Sequence, residues 1–168
     1  MRGRAMLWTG VVLGSLGLSG CSSLPPAPLA GDLLGAPTTL NLDGQVMRLT
    51  ATPQLRQDTQ RFIVRVRVRA NPSAARPVGR PLATPRPLKV TGLYVVTGSG
   101  LWQSPRLNDV TQASTCRERV CAWGSGEADG FTAGEDVRVI AQLRDASGQI
   151  FWLRDVRDQR IAVGALIR

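Results

Sequence analysis

Hydrophobic and polar residues alternate along much of the chain, most clearly in "RFIVRVRVRA", residues 61–70. A period of two places successive side chains on opposite faces of a β-strand. The face expected to be buried is apolar and consists of Phe62, Val64, Val66 and Val68. The opposite face is basic except for Ile63, and its arginines are Arg61, Arg65, Arg67 and Arg69. The pattern predicts a strand with one face in the core and a row of arginines facing water.

Three further segments predict β-hairpins, each with a turn signal between two alternating stretches. The first turns at Asp43-Gly44, the second at residues 98–100 and the third at residues 145–148. A last strand is expected over residues 161–167. The faces expected to be buried in the first and third hairpins are Leu40, Leu42, Met47 and Leu49, and Val137, Val139, Ala141 and Leu143.

No stretch beyond the amino-terminal region shows a sustained helical spacing with caps, so the sequence predicts roughly seven or eight short strands and little or no helix. Antiparallel sheets that bury one face and wet the other commonly pack as a sandwich. We therefore expect an all-β antiparallel β-sandwich over residues 38–168, with immunoglobulin-like or fibronectin-like topology. A small barrel is the alternative.

Two segments are rich in proline. Residues 22–37, "SSLPPAPLAGDLLGAP", contain four prolines and predict an extended tether. Residues 71–88 contain three Arg-Pro pairs, which begin at Arg76, Arg80 and Arg86, and predict an extended loop because proline is excluded from central strands.

The first twenty residues have the layout of an export signal. Arg2 and Arg4 precede an uncharged apolar run that is too short for an ordinary spanning helix and ends in small residues. Leu18-Ser19-Gly20-Cys21 resembles the lipobox of bacterial lipoproteins. The resemblance covers about an eighth of the chain and implies cleavage before Cys21 and attachment of lipid to the Cys21 thiol.

This resemblance divides the chain into a signal peptide (residues 1–20), a lipidated cysteine with its tether (21–37) and the β-domain (38–168). Two or three acyl chains hold a protein on a bilayer, whereas one chain binds only marginally. The expected location is the bacterial cell envelope. Because Ser22 rather than aspartate follows the cysteine, the resemblance favours the outer membrane if the host has two membranes.

The remaining cysteines, Cys116 and Cys121, are separated by four residues, and export places them where disulfides persist. We predict that they form a structural disulfide that fixes a tight turn. A zinc site would need further ligands, and a thioredoxin-like site has only two residues between its cysteines. No metal and no cofactor are expected.

Without Arg2 and Arg4 the chain carries 19 basic and 12 acidic residues, a net charge of about +7. Such a charge favours anionic lipid, phosphate-bearing surface polymer or extracellular nucleic acid as partners, although a generic basic surface fits equally well. Lys89 is the only lysine, and the excess of arginine is also what a biased genome composition produces.

Histidine is absent from the chain, which removes the Ser-His-Asp and Cys-His catalytic arrangements. The glycine clusters at 98–102 and 124–130 lack the lysine and the strand-loop-helix context of a phosphate-binding loop, so both are interpreted as turns. Four carboxylates lie within ten residues of one another, and paired carboxylates can serve glycoside chemistry or bind a cation. Their position in a glycine-containing, exposed connection before a strand is the better explanation for them. These residues are Glu127, Asp129, Glu135 and Asp136.

The function predicted is that of a non-catalytic envelope lipoprotein whose sandwich binds a protein or a surface polymer. The alternative is a binder of anionic glycan, lipid head groups or DNA, with nucleic acid the less favoured partner, and a carboxylate-based envelope enzyme is the third choice. For the alternative, aromatic residues such as Tyr94, Trp102 or Trp152 could stack on sugars or bases if they are exposed rather than in the core. The candidate polyanion-binding residues are Arg65, Arg67, Arg69, Arg76, Arg80 and Arg86.

Overall fold

The computed structural model describes residues 28–70, 87–113, 116 and 120–164. Within these residues the chain forms one short helix and eleven strands. Their bounds are α1 (Ala30–Leu34), β1 (Leu40–Leu42), β2 (Gln45–Arg56), β3 (Arg61–Ala70), β4 (Leu88–Val96), β5 (Leu101–Gln103), β6 (Arg106–Asp109), β7 (Val120–Glu127), β8 (Asp136–Asp145), β9 (Ile150–Arg154), β10 (Gln159–Arg160) and β11 (Ala162–Val163).

The strands form two sheets. The first has the order β1-β2-β3-β7-β6, with β11 beside β2, and the second has the order β10-β8-β4-β5, with β9 also beside β8. Every pair is antiparallel except β11 with β2. The predicted all-β antiparallel sandwich is confirmed, and the strands are more numerous than expected because several are only two to four residues long.

Apart from β1, β10 and β11, the strands follow the order β2-β3-β7-β6 in one sheet and β9-β8-β4-β5 in the other. Taken in chain order, these correspond to strands A, B, E and D and to strands G, F and C of an immunoglobulin domain, with β5 added beside C. The immunoglobulin-like topology predicted from the sequence therefore matches the observed strand order.

The main core lies between the two sheets and is filled by the inward faces of the alternating strands. From β3 it contains Phe62, Val64, Val66 and Val68, each at most 1% exposed. From the second sheet it contains Leu93, Val95, Val139, Ala141 and Leu143, each fully buried. Burial of side chains of this size stabilises the fold by about 1.5–3 kcal/mol each.

The three predicted hairpins are confirmed. In the first, Asp43 and Gly44 have positive φ angles of 52° and 79°, the left-handed backbone that a two-residue hairpin turn requires. In the third, the Asp145 carboxylate accepts hydrogen bonds from the backbone N–H groups of Ser147 and Gln149, which closes the turn between β8 and β9.

The glycine cluster at residues 124–130 is not simply a turn, because Gly124 and Gly126 lie within β7. Both glycines face inward where the chain crosses from β5 to β6. A Cβ atom on Gly124 would lie 2.8 Å from the Ser104 Cβ, and one on Gly126 would lie 2.9 Å from the Pro105 Cδ. The glycines therefore provide the space for this crossing, a long-range contact that local sequence does not reveal.

The last predicted strand, residues 161–167, is also corrected. Two short strands, β10 and β11, flank the buried Ile161, and residues 165–168 lie outside the described part of the chain. The chain changes partner at this point, from β8 in the second sheet to β2 in the first.

The carboxyl-terminal part of the predicted tether, residues 28–37, packs against the outside of the second sheet. Leu33 and Ala36 are 2% and 7% exposed and join Tyr94 and other residues in a second apolar cluster. The Arg154 N–H donates to the Pro37 carbonyl at 2.9 Å, which holds the end of this segment beside β9. The prediction of an extended segment up to residue 37 is therefore wrong for this part, because its apolar residues cover an apolar patch on the sheet.

Candidate binding surface

The arginines of β3 lie on the outward face of the first sheet, as the alternation predicted. Arg65, Arg67 and Arg69 are exposed, whereas the valines between them are buried. Residues directly opposite each other in antiparallel strands share a face. The register therefore adds arginines from β2 and β6 to this surface, which we call the arginine face, and its members are Arg48, Arg56, Arg61, Arg65, Arg67, Arg69 and Arg106.

Two pairs of arginines are directly opposite each other on the β2 and β3 strands. Arg48 is opposite Arg69, and Arg56 is opposite Arg61. Like charges in such positions are destabilising. The arrangement concentrates positive charge at some expense in stability. One pair of like charges is also directly opposite on the second sheet, where Lys89 faces Arg144.

Some of these guanidinium groups have partners within the sheet. Arg56 forms a two-point ion pair with Asp58, with N···O distances of 2.7 and 3.0 Å, and this contact lowers the pKa of Asp58. Arg61 donates from Nη2 to the Ser125 Oγ at 3.0 Å. The end of the arginine face near the β2–β3 turn is therefore partly neutralised.

Among the residues that the structure describes, the middle of the face has no such neutralisation. Arg65 donates to the amide oxygen of Gln54 at 3.2 Å, and neither Arg65 nor Arg67 forms an ion pair with a carboxylate of the described residues. On the second sheet, by contrast, Arg138 and its neighbour in β10 are matched with acidic residues. Those pairs are Arg138 with Asp158 at 3.0 Å and Arg160 with Asp136 at 3.3 Å.

An aromatic side chain and the disulfide border this central part of the face. Cys116 and Cys121 are joined, with an S–S distance of 1.92 Å, as the sequence predicted. Trp123 is opposite Arg65 in the β3–β7 pair and is half-buried. Together with Arg67, these residues contribute to the lining of a depression of about 360 Å³.

Sequence reasoning missed Trp123, Arg48, Arg56 and Arg106 as members of this surface. Trp123 could have been found had residues 120–127 been assigned to a strand, because Cys121, Trp123 and Ser125 then alternate outward. The three arginines join the face only through strand pairing, which one sequence does not show.

The aromatic residues that the sequence analysis proposed for stacking do not lie on the arginine face. Tyr94 is 5% exposed, and its ring centroid lies 5.3 Å from that of Trp152. Burial raises the pKa of the Tyr94 phenol. Trp152 is half-buried in the same outer cluster of the second sheet. Trp102 is half-buried and packs edge-on against Phe62 with a centroid distance of 5.1 Å.

The four carboxylates near residue 130 separate into two pairs. Glu135 accepts the backbone N–H of Thr132, and Asp136 pairs with Arg160. Glu127 and Asp129 instead line a groove at the end of the sandwich. Among the described residues, no three Cys, Asp or Glu side chains are grouped so that they could hold a metal ion.

Four other predicted site residues, Cys21, Arg76, Arg80 and Arg86, lie outside the described residues. None of the helical structure in the described ranges is long and apolar enough to cross a membrane.

No model of a known protein family matches the chain, and a search of curated proteins finds no similar sequence. The fold and the site together define an immunoglobulin-like sandwich with a concentrated arginine face.

Proposed function

We propose that the protein is a lipid-anchored, non-catalytic domain of the bacterial cell envelope that binds an anionic surface polymer through its arginine face. The observation that carries the proposal is the exposed centre of this face, where Arg65 and Arg67 have no carboxylate partner among the described residues. Exposed arginines that serve only solubility are commonly interspersed with acidic groups, and Arg138 and Arg160 of the second sheet have such partners.

The spacing of the face suits a polymer better than a single small anion. Side chains two residues apart on a strand are separated by nearly 7 Å, and those opposite each other on neighbouring strands by about 5 Å. Guanidinium groups bind carboxylate or phosphate through two parallel hydrogen bonds. Repeated contacts at these intervals match a chain that carries one acidic group on each unit or on every second unit.

The anchor is proposed from the lipobox resemblance at Leu18-Ser19-Gly20-Cys21. The seven residue steps from Cys21 to Pro28 reach at most about 25 Å at 3.3–3.6 Å per residue. A lipid on Cys21 would therefore keep the start of the packed domain within that distance of the bilayer. Mass spectrometry of the mature amino terminus should find acylated Cys21, and an unmodified terminus at another residue would contradict the anchor.

Retention on immobilised polygalacturonate, with uncharged dextran as the reference matrix, tests the arginine face. The triple variant Arg65→Ser/Arg67→Ser/Arg69→Ser removes three charges from it. The control variant Arg138→Ser/Arg144→Ser/Arg160→Ser removes three charges from the second sheet. Both proteins should remain folded because exposed ion pairs contribute only about 0–1 kcal/mol.

Each arginine that contacts the polymer releases counterions and so steepens the fall of log affinity with log salt concentration. The slope of this dependence should therefore become about two to three units shallower in the Arg65/Arg67/Arg69 variant. The control variant should keep most of the slope. Equal losses in the two variants would show that net charge alone drives retention and would contradict a specific face. Stronger retention on anionic vesicles than on polygalacturonate would assign the face to lipid head groups instead.

A further inference from the structure

A second surface feature lies at one end of the sandwich, where three chain segments enclose a groove of about 950 Å³. The segments are the turn into β3 (residues 59–61), the crossing from β5 to β6 (102–106) and the end of β7 (126–129). The volume lies within the range of small-molecule sites. The groove meets the arginine face only at its end, through Arg61 and Arg106.

Pro105 and the half-buried Trp102 form the apolar part of the groove, and the position of Trp102 is fixed from behind. Its ring packs edge-on to Phe62 at 5.1 Å and to Phe131 at 6.1 Å between centroids. Gly126 adjoins it, and a Cβ atom there would lie 3.1 Å from the Trp102 Cζ2. The indole is therefore held on a rigid support and presents its remaining surface to the groove.

Apart from Thr59, the polar part of the groove consists of planar side chains that carry two or more hydrogen-bonding positions each. They are the guanidinium groups of Arg61 and Arg106, the carboxamides of Gln60 and Gln103, and the carboxylates of Glu127 and Asp129. Two positive and two negative charges balance. Two of the six side chains already form hydrogen bonds, Gln60 to the Gln57 carbonyl and Arg61 to Ser125. The other four are exposed and have no side-chain hydrogen bond to any described residue. These four are Gln103, Arg106, Glu127 and Asp129.

This balance distinguishes the groove from the arginine face. A polyanion would meet the carboxylates of Glu127 and Asp129, and a cation would meet the two guanidinium groups. Hydroxyl groups, in contrast, both donate and accept hydrogen bonds, so they can use donors and acceptors presented side by side. The single aromatic surface can cover the apolar C–H face of a ring, and the groove offers no series of apolar pockets for the side chains of a peptide.

We propose that this groove binds an uncharged sugar unit of a glycan, stacked on Trp102 and hydrogen-bonded by Glu127, Asp129 and the flanking guanidinium and carboxamide groups. The groove shares Arg61 and Arg106 with one end of the arginine face but does not include the centre of that face. Because the two positive and two negative charges of the groove cancel, binding of an uncharged sugar does not depend on the net charge of the face. It adds a neutral polyhydroxylated ligand to the anionic polymer proposed above.

The proposal can be tested by titrating the purified protein with tetramers of glucose and of N-acetylglucosamine while the tryptophan indole N–H signals are followed by NMR. The Trp102 signal should shift and saturate at millimolar sugar, whereas the signals of Trp123 and Trp152 should stay in place. Assignment uses Trp→Phe variants of each position.

The double variant Glu127→Gln/Asp129→Asn should weaken sugar binding roughly tenfold or more, since hydrogen bonds to charged groups are the strongest in such sites. The control Asp158→Asn removes an exposed carboxylate from the other sheet and should leave the affinity unchanged. The triple variant of Arg65, Arg67 and Arg69 should also bind the sugars normally, which keeps failure of the groove distinct from failure of the arginine face.

Absence of a Trp102 shift with both sugars up to about 20 mM would overturn the proposal, as would equal shifts of the Trp102, Trp123 and Trp152 indoles. A Trp102 shift with uncharged tetrapeptides but not with sugars would assign the groove to a peptide and would likewise overturn it.

Discussion

Asp155 provides a sharp test of how the two sheets are joined. Its carboxylate is 3% exposed and lies between β9 and β10. Oδ2 accepts the Ala51 N–H of β2 at 2.7 Å and the Gln159 side-chain amide at 2.9 Å, and Oδ1 accepts the Arg157 N–H at 3.1 Å. One edge of β2 pairs with β1 near its start and with β11 near its end. The Ala51 N–H lies between these two paired segments, and the Asp155 carboxylate accepts its hydrogen bond where no strand does so.

The variant Asp155→Ala leaves the buried Ala51 N–H without its acceptor. An unsatisfied buried donor costs about 1–3 kcal/mol, and loss of the hydrogen bonds to the charged carboxylate adds to this. Since the Arg157 N–H can bond to water instead, we expect a decrease of about 3 kcal/mol in the free energy of unfolding. This is a large share of the roughly 5–15 kcal/mol that stabilises a typical domain.

Urea denaturation followed by tryptophan fluorescence measures the effect. The midpoint should fall by about 1–3 M with an unchanged slope, because m is about 1–3 kcal/mol/M for small proteins. Asp158→Ala, which breaks only the exposed pair with Arg138, is the control and should cost about 0–1 kcal/mol. If Asp155→Ala and Asp158→Ala unfold at the same urea concentration, the carboxylate does not hold the sheets together and the reasoning is refuted.

Three further outcomes are expected. Burial raises the pKa of Tyr94, the only tyrosine, because the folded protein favours the neutral phenol. The stability gained by burying this phenol is complete below about pH 10 and is lost as the pH rises above that value. Phenolate absorbance should therefore appear at higher pH in native than in urea-unfolded protein, and coincident titrations would contradict the burial. Gly124→Ala should lower the free energy of unfolding by about 1–3 kcal/mol, because the added methyl group overpacks the contact with Ser104. Gly98→Ala is the control and should change this free energy little, because a Cβ atom there meets nothing within 4 Å. Equal effects of the two variants would argue against the close contact between Gly124 and Ser104. Thiol labelling of native protein without reductant should miss Cys116 and Cys121, and ready labelling of both would contradict the disulfide.

Features that depend on local pattern could be predicted from the sequence. The alternation in residues 61–70 predicted β3 with its observed bounds and both of its faces. The Asp43-Gly44 turn was predictable because few residue pairs tolerate left-handed backbone at both positions. Burial of alternate valines and exposure of alternate arginines follow from the same period of two.

Features that depend on contacts between distant segments could not be predicted. Gly124 and Gly126 resemble a turn until Ser104 and Pro105 are known to cross against them. The packing of Leu33 depends on an apolar patch on the outside of the second sheet, and Tyr94 belongs to a continuous apolar run in which neither face stands out.

In the candidate site, too, the residues on one strand could be predicted, whereas those brought together by pairing between strands could not. The row of Arg65, Arg67 and Arg69 was evident from one strand, whereas the contribution of Arg48 required the β2–β3 register. The role of Asp155 was not evident, because its partner Ala51 is 104 residues away along the chain.

The central claim, that the arginine face binds an anionic polymer, is tested most directly by footprinting. The protein is treated with phenylglyoxal, which modifies accessible arginines, with and without polygalacturonate at low salt, and modified peptides are quantified by mass spectrometry. Arg65 and Arg67 should be protected by the polymer, whereas Arg144, an exposed arginine of the second sheet, should react equally in both samples. Uniform protection of all three, or protection of Arg144 alone, would contradict the account.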